Sequence, residues 1–289
     1  MIYEKECEPM KQLDHEDVLK LLPDRSKTAH KGDFGKLLLI CGSQNCTGAP
    51  ALASVGALRC GAGLVYLAVP SCIHAIEAVK LTEPVIFSLP CSDGMLSREA
   101  CMKLETLLSK VNTVLIGPGL GISVGTEAVV SFVLDNFKGT VVLDADGINV
   151  IKSHKDILRR RKYPTVITPH EGEFLRFGGN LQNGRVNGAQ ELAMDLNVIV
   201  VLKGHQTVIT DGHNVYINPT GNPGMATGGS GDVLAGMITA LIGQGIAPIE
   251  ASAMGVWLHG AAGDLCAEVM GQYAMLPSDI FSVLPRLLK

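Results

Sequence analysis

Short, uninterrupted apolar runs recur along the chain and alternate with longer amphipathic stretches. Runs at 36–41, 64–69, 85–89, 113–117, 140–144 and 166–168 have the length of strands. They are continuous rather than alternating, the pattern of strands covered on both faces of a parallel sheet. Three more runs, 198–203, 207–210 and 215–218, follow closely with Asp211-Gly212 as a turn, and predict an antiparallel edge meander. Segments of helical character lie between. Residues 49–60 are alanine-rich and stop at Gly61, 97–109 open with Ser97 as a candidate N-cap, and 123–136 follow a glycine-rich turn at 117–121. In 232–242, Leu234, Met237, Ile238 and Leu241 repeat at helical spacing, and 250–270 form a long stretch rich in small residues. Strand–helix alternation over most of the chain predicts a mainly parallel, doubly wound α/β sheet with antiparallel edge strands. The polar, glycine-containing stretch 177–187 reads as a flexible loop. Residues 1–29 read as an N-terminal extension packed on a single domain of residues 30–289.

Composition narrows the function classes. A chain of 289 residues, 47% hydrophobic, can bury one large core. Lys and Arg number 24 against 28 Asp and Glu, a net charge of −4, which is no footprint for nucleic acid. A polyanionic ligand would therefore be held locally, by backbone amides and a few lysines. The first residues, MIYEKECEPMKQLDHED, carry no apolar core of a signal peptide, and no apolar run reaches bilayer length. Cysteines stand at 7, 41, 46, 60, 72, 91, 101 and 266 with no CxxC pair and no zinc-like spacing. Most sit in apolar segments as small buried hydrophobes, which predicts a cytoplasmic protein with reduced thiols and no membrane partner.

The stretch most informative for chemistry is 218–232, NPTGNPGMATGGSGD. Gly228, Gly229 and Gly231 precede a predicted helix, so bare backbone N–H groups can approach an anion at a helix N-terminus. Asp232 at that helix start can take a proton from an attacking hydroxyl, and cradle plus base are the parts of phosphoryl transfer. Asp is equally a favoured helix cap, so this segment alone leaves capping and catalysis open. Neither the dinucleotide GxGxxG after the first strand nor a GxxxxGK[ST] loop is present.

With its flanks, NPTGNPGMATGGSGDVLAGMI at 218–238 resembles the signature of the NAD(P)H-hydrate dehydratase family of the ribokinase-like superfamily. Further matches follow in order: HKGDFGKLLLICGS at 30–43, TGAPALA at 47–53, GPGLG at 117–121, LDADGIN at 143–149, TPHEGEF at 168–174 and VLKGHQTVI at 201–209. The resemblance implies a three-layer α/β/α ribokinase-like fold. It also implies repair of hydrated NADH and NADPH at the expense of ADP or ATP, with magnesium on the phosphates but no residue assigned to hold it. Carried to matching positions, it implies Ala49, Gly119, His170 and Asp232 for the substrate. Lys203, Gly204, His205, Gln206, Thr207 and Gly231 would line the nucleotide, and Gly229, Ser230, Gly231 and Asp232 would carry the chemistry. Ser230 stands where Thr is usual in GGTGD, with the hydroxyl kept, and His205 is given no side-chain role. The family further implies a homotetramer and functional pairing with an NAD(P)H-hydrate epimerase. The match uses almost all of the chain and leaves no epimerase-like domain in it, which favours ADP over ATP.

Simpler roles stand beside these. His170 can merely end a strand, Glu171 and Glu173 can complement a helix dipole, and Lys203 can be a solvated strand end. Asp144 and Asp146 can face a ligand or cap the next helix, and Gly117 and Gly119 can serve only as a tight turn. His259, mid-helix among apolar residues, reads as core. Two other functions fit part of the pattern: a hydroxyethylthiazole- or hydroxymethylpyrimidine-type kinase, and a non-catalytic nucleotide sensor.

Overall fold

The continuous apolar runs become the strands of one nine-stranded sheet. The computed structural model describes residues 10–289. In chain order the elements are α1 (His15–Leu21), β1 (Lys36–Ile40), α2 (Gly48–Arg59), β2 (Leu64–Pro70), α3 (His74–Lys80), β3 (Val85–Leu89), β4 (Cys91–Ser92) and β5 (Met95–Leu96). They continue as α4 (Ala100–Leu108), β6 (Thr113–Ile116), α5 (Val124–Asn136), β7 (Thr140–Leu143), α6 (Asp146–Val150), α7 (Asp156–Arg160), β8 (Thr165–Ile167), α8 (Glu171–Arg176), α9 (Arg185–Leu196) and β9 (Ile199–Leu202). The last are β10 (Val208–Thr210), β11 (Val215–Ile217), α10 (Ser230–Gly243), α11 (Pro248–Met270) and α12 (Ile280–Val283).

Each run expected as a strand is found within one residue of its expected ends. The order is β3-β2-β1-β6-β7-β8-β9-β10-β11, parallel from β3 to β9, with β10 and β11 antiparallel at one edge. The chain winds outward from β1 to β3, returns to β6 beside β1, and winds outward again. The winding direction reverses between β1 and β6, the place at the strand carboxyl ends where open α/β sheets bind ligands.

Both sheet faces are covered, which is why the runs do not alternate. Along β1, Leu37 and Leu39 point into one core with Ala53, Ala57, Val233, Met237 and Met254 of α2, α10 and α11. Leu38 and Ile40 point into the other, with Leu104, Val129, Val133 and Leu192 of α4, α5 and α9. Each such side chain, fully withdrawn from water, contributes about 1.5–3 kcal/mol. This is the three-layer α/β/α arrangement. No helix among the described residues is long and apolar enough to cross a membrane.

Helices depart more from expectation. Ser97 does not cap α4, which begins at Ala100 with Glu99 before it and no side-chain cap. Ser123 does cap α5, accepting from Thr126 N–H at 3.0 Å. The stretch 177–187 is not all loop, because α9 starts inside it at Arg185 and buries Ala189, Leu192, Ala193 and Leu196 on one side. Residues 1–9 of the expected extension lie outside the described residues. After them, Lys11 N–H bonds Val215 O at 2.9 Å, Val18 of α1 is buried, and the His15 ring stacks on Trp257 at 5.7 Å.

One contact fixes where the site can form. α2 and α10 approach so closely that a Cβ on Gly56 would lie 2.8 Å from Val233 O, and one on Gly236 would overlap Ala53 O. Small residues on both helices allow it, and the N-terminus of α10 is thereby held beside α2, where Gly229 abuts Leu52. Gly236→Ala is expected to destabilise the protein by about 1–3 kcal/mol, because the new methyl meets rigid backbone. A urea midpoint equal to that of the parent would remove this constraint.

Candidate functional site

The residues just beyond the strands build the site. Cys41 to Ser43 follow β1, Gly117 to Gly121 follow β6, Asp144 follows β7, Thr168 to His170 follow β8, and Lys203 follows β9. They lie in that order along the carboxyl edge of the sheet.

At the β1–β6 end, Gly119 packs on Ala49, since a Cβ on Gly119 would lie 3.1 Å from Ala49 Cβ. These two residues, expected to contact substrate, are therefore neighbours. Gly42 N–H bonds Pro118 O at 2.8 Å and ties the two loops. Gly117 does more than turn the chain. At φ +133° its missing side chain leaves room for the Asp144 carbonyl. Next to it, Ala145 has φ 47°, ψ −117°, a strained conformation for a residue with a Cβ, wedged between Asp144 and Asp146. The strained link separates their tasks. Asp146 accepts from Gly121 N–H at 2.9 Å, whereas the buried Asp144 carboxylate accepts from Thr168 Oγ1 at 2.6 Å and Lys203 Nζ at 2.9 Å. Neither caps α6.

Lys203 is thus no solvated strand end. Burial alone would lower its pKa, but the carboxylates of Asp144, Glu173 and Asp232 outweigh burial and hold it raised. Its Nζ lies 3.2 Å from where a Cβ of Gly231 would stand, so the ammonium faces the start of α10.

His170 does more than end a strand. It caps α8, its Nδ1 accepting from Gly172 N–H at 3.0 Å and Glu173 N–H at 3.3 Å, while Glu173 accepts in return from His170 N–H at 2.9 Å. With Nδ1 accepting, a neutral ring carries its proton on Nε2, which lies 3.6 Å from Glu173 Oε1 on a side chain that is half exposed. A bridge pairs His170 with Lys203.

The N-cap of α10 is Gly229, at φ 97°, and no side chain caps the helix, so the capping role expected as an alternative for Asp232 is not taken. Ser230 N–H bonds Thr227 O at 3.3 Å and Val233 N–H bonds Gly229 O at 3.2 Å. The intervening N–H groups of Gly231 and Asp232 remain as open first-turn donors. Gly228 faces open space. Asp232 is pushed up to about 7 by burial first and then by Asp144, with Lys203 opposing and Asp146 adding a little. Behind it, His259 is buried, 3.5 Å from Ser230 Oγ, and burial together with Lys203 lowers it to about 4, so it stays neutral. The core placement expected for His259 is right, but it also backs the helix start.

The turn 203–207 is compact. Thr207 Oγ1 donates to Gly204 O at 2.9 Å and accepts from Gly204 N–H at 3.3 Å. His205 and Gln206 are exposed. Sequence reasoning missed the residues that fasten these loops. Thr168 orients Asp144, and Arg185 grips the 203–207 turn. Asp264 of α11 accepts from Gly221 N–H and Asn222 Nδ2, each at 2.9 Å, and so anchors the loop before α10. All three are polar residues whose partners are far away in sequence, and no spacing announces them.

A family model described as NAD(P)H-hydrate dehydratase matches residues 37–286. The chain belongs to this family. The bifunctional NAD(P)H-hydrate repair enzyme of Moorella thermoacetica is 44% identical over 93% of this chain, which spans 52% of that relative. The chain thus covers about half the length of several curated relatives it matches. The ADP-dependent (S)-NAD(P)H-hydrate dehydratase of Cenarchaeum symbiosum is 33% identical over 96% of this chain and 97% of its own length. Among solved structures, the Bacillus subtilis ADP/ATP-dependent NAD(P)H-hydrate dehydratase co-crystallized with ATP/Mg2+ is similar at TM-score 0.80 and 31% identity, covering 95% of this chain and 96% of that one. A ribokinase-like superfamily protein of Enterococcus faecalis gives TM-score 0.85 at 28% identity over 96% and 95% of the two chains. The hydroxyethylthiazole kinase of Pyrococcus horikoshii, at 15% identity, shares the fold alone.

The raised carboxyl has a measurable consequence. Asp232 has a higher pKa in the folded protein than in the unfolded chain, so folding favours its protonated form. That contribution is complete below the unfolded value of about 4 and is lost as pH rises through about 7. Asp232→Asn is expected to flatten the fall of stability between those values and to leave the variant more stable than the parent above them. The upper bound is about 1.4 kcal/mol per pH unit before solvent screening. Superimposable stability–pH curves for parent and variant would contradict the raised pKa.

Proposed function

We propose that the chain dehydrates the S form of hydrated NADH or NADPH with a nucleotide as co-substrate, ADP in preference to ATP. The observation that carries this reading is Asp232, a carboxyl poised near neutrality beside the open N–H groups of α10 and facing Lys203. A base is most useful when its pKa lies near the working pH.

In this reading Asp232 accepts the proton of the hydrate's ring hydroxyl as the hydroxyl oxygen attacks the terminal phosphoryl group. AMP leaves when ADP is used, and ADP leaves when ATP is used. The N–H groups of Gly231 and Asp232 stabilise the charge that develops on the phosphoryl oxygens. Phosphate then departs from the ring carbon, a proton is lost from its neighbour, and the double bond of the reduced nicotinamide returns. Ala49 and Gly119 line the ring side, His170 offers Nε2–H, and Lys203 with the 203–207 turn receives the nucleotide. Ser230 supports the cradle from its place against His259.

Magnesium enters this proposal on the nucleotide's phosphates. Among the described residues no group of three or more His, Cys, Asp or Glu could hold a metal, and Asp144 and Asp146 are engaged by Lys203 and by Gly121 N–H. The residues therefore do not fit a resident ion, and no step above depends on one.

The proposal extends to residues 1–29 as an extension packed on a domain of 30–289, to a homotetramer, to a cytoplasmic setting, and to pairing with an NAD(P)H-hydrate epimerase. The contacts of Lys11, His15 and Val18 support the first, and relatives named as bifunctional repair enzymes support the last.

Incubation with hydrated NADH and ADP should restore the absorbance of NADH with release of one phosphate per turnover. Phosphorylation of a thiazole or pyrimidine alcohol without any such recovery would replace this function with a kinase. Asp232→Asn should lower kcat by about 10²–10⁴-fold while ADP still binds; turnover near the parental rate would take Asp232 out of the chemistry. Lys203→Ala should weaken ADP binding in calorimetry, and an unchanged Kd would remove Lys203 from the nucleotide site.

A further inference from the structure

Arg185 opens α9, far in sequence from the strand ends that carry the site. Its guanidinium nevertheless reaches the turn after β9. Nη1 donates to His205 O at 2.9 Å, and Nη2 donates to Leu202 O at 2.8 Å and Lys203 O at 3.2 Å. Glu171, in the first turn of α8, holds Nη1 from the other side at 3.3 Å. Nε is buried with no partner, so the side chain leaves one N–H unsatisfied while meeting all three carbonyls. Gly204 is open at this point because any Cβ there would lie 2.8 Å from Nη1.

Drawing carbonyls to one side has a geometric consequence. In a trans peptide the C=O and the following N–H point in opposite directions. Lys203 N–H, opposite the Leu202 carbonyl, is used by Pro169 O at 2.9 Å, and Gly204 N–H by Thr207 Oγ1 at 3.3 Å. Gln206 N–H, opposite the His205 carbonyl, has no partner among the described residues and lies in an exposed residue held at φ 53°. That backbone conformation is costly without glycine, and the hydrogen bond to His205 O helps to maintain it.

We propose that Arg185 is a positioning residue for the nucleotide: by holding the carbonyls of Leu202, Lys203 and His205 it turns Gln206 N–H outward as a donor to an anionic oxygen of the nucleotide. This rests on the placement of the nucleotide at 203–207. Arg185 touches neither the reacting atoms nor the ligand. Its loss acts through the turn.

The test uses the full chain with ADP and hydrated NADH. Arg185→Met is expected to raise the KM and calorimetric Kd for ADP on the order of 10–100-fold, the scale of a small misplacement of binding groups. kcat at saturating ADP and KM for the hydrate should remain those of the parent. Arg185→Lys, which keeps a cation able to serve one carbonyl, should fall between and covers the case in which the Met variant does not fold. A lowered Tm with unchanged ADP affinity, or an equal rise in both KM values, would mean that Arg185 only supports the fold. Lys203→Ala separates the two levels. If that variant loses ADP affinity and the Arg185 variants do not, this proposal alone falls. If none loses it, the nucleotide is held elsewhere and both readings fall.

Discussion

Lys203 and Asp144 meet at 2.9 Å across the end of β8, with Thr168 of that strand's exit bonded to the same carboxylate oxygen. Removing one partner from such a buried pair strands the other charge, a loss of about 3–5 kcal/mol. The pair therefore fixes three strand ends relative to one another, and it also sets the field in which Asp232 titrates. Asp144 repels the Asp232 carboxylate and Lys203 attracts it, while burial decides the outcome at about 7. A lysine free to neutralise Asp232 fully would leave a carboxylate too weak to take a proton near neutrality. Because Lys203 is shared among Asp144, Glu173 and Asp232, none of them receives its full charge.

The strands were legible because two covered faces demand unbroken apolar runs, here of strand length and bounded by turns. Several runs even extend one residue past the ladder, into Cys41, Gly117, Asp144, Thr168 and Lys203. Those overshoots border the candidate site: the backbone leaves the sheet there, yet the residue is still largely buried. Helix starts were less legible. Ser97 carries a capping side chain that the structure does not use, because the chain makes a turn first and α4 begins at Ala100. α9 was hidden by Asn187 and Gly188, poor helix formers, although Ala189, Leu192, Ala193 and Leu196 already have helical spacing.

Site residues divide in the same way. Asp232 and its glycines carry a local signature, a side-chain-free bend before a helix, although that pattern alone left capping as an equal use of the acid. His170 does not, because capping α8 and offering Nε2–H require the same residue at the same place. Arg185, Thr168 and Asp264 carry no signature at all: their partners lie far away in sequence, backbone carbonyls for Arg185, the Asp144 carboxylate for Thr168, and a backbone N–H and a side-chain amide for Asp264. Local pattern therefore reveals the groups proposed to touch a ligand more readily than the groups that hold them in place.

The charge arrangement argues for which groups must supply affinity. Asp144, Glu173 and Asp232 gather around a single ammonium, with Asp146 near Asp232, so the site is acidic before any polyanion arrives. Side-chain charge alone would then oppose a nucleotide. The N–H groups at the start of α10 and at Gln206 do not titrate and need no counter-ion, so they can attract phosphate oxygens whichever protonation state Asp232 holds. An arriving phosphoryl group adds negative charge near Asp232 and raises its proton affinity further. In the proposed reaction, nucleotide binding would thus strengthen Asp232 as the base when a hydroxyl proton must be taken, while the main-chain donors would hold the phosphate against the repulsion.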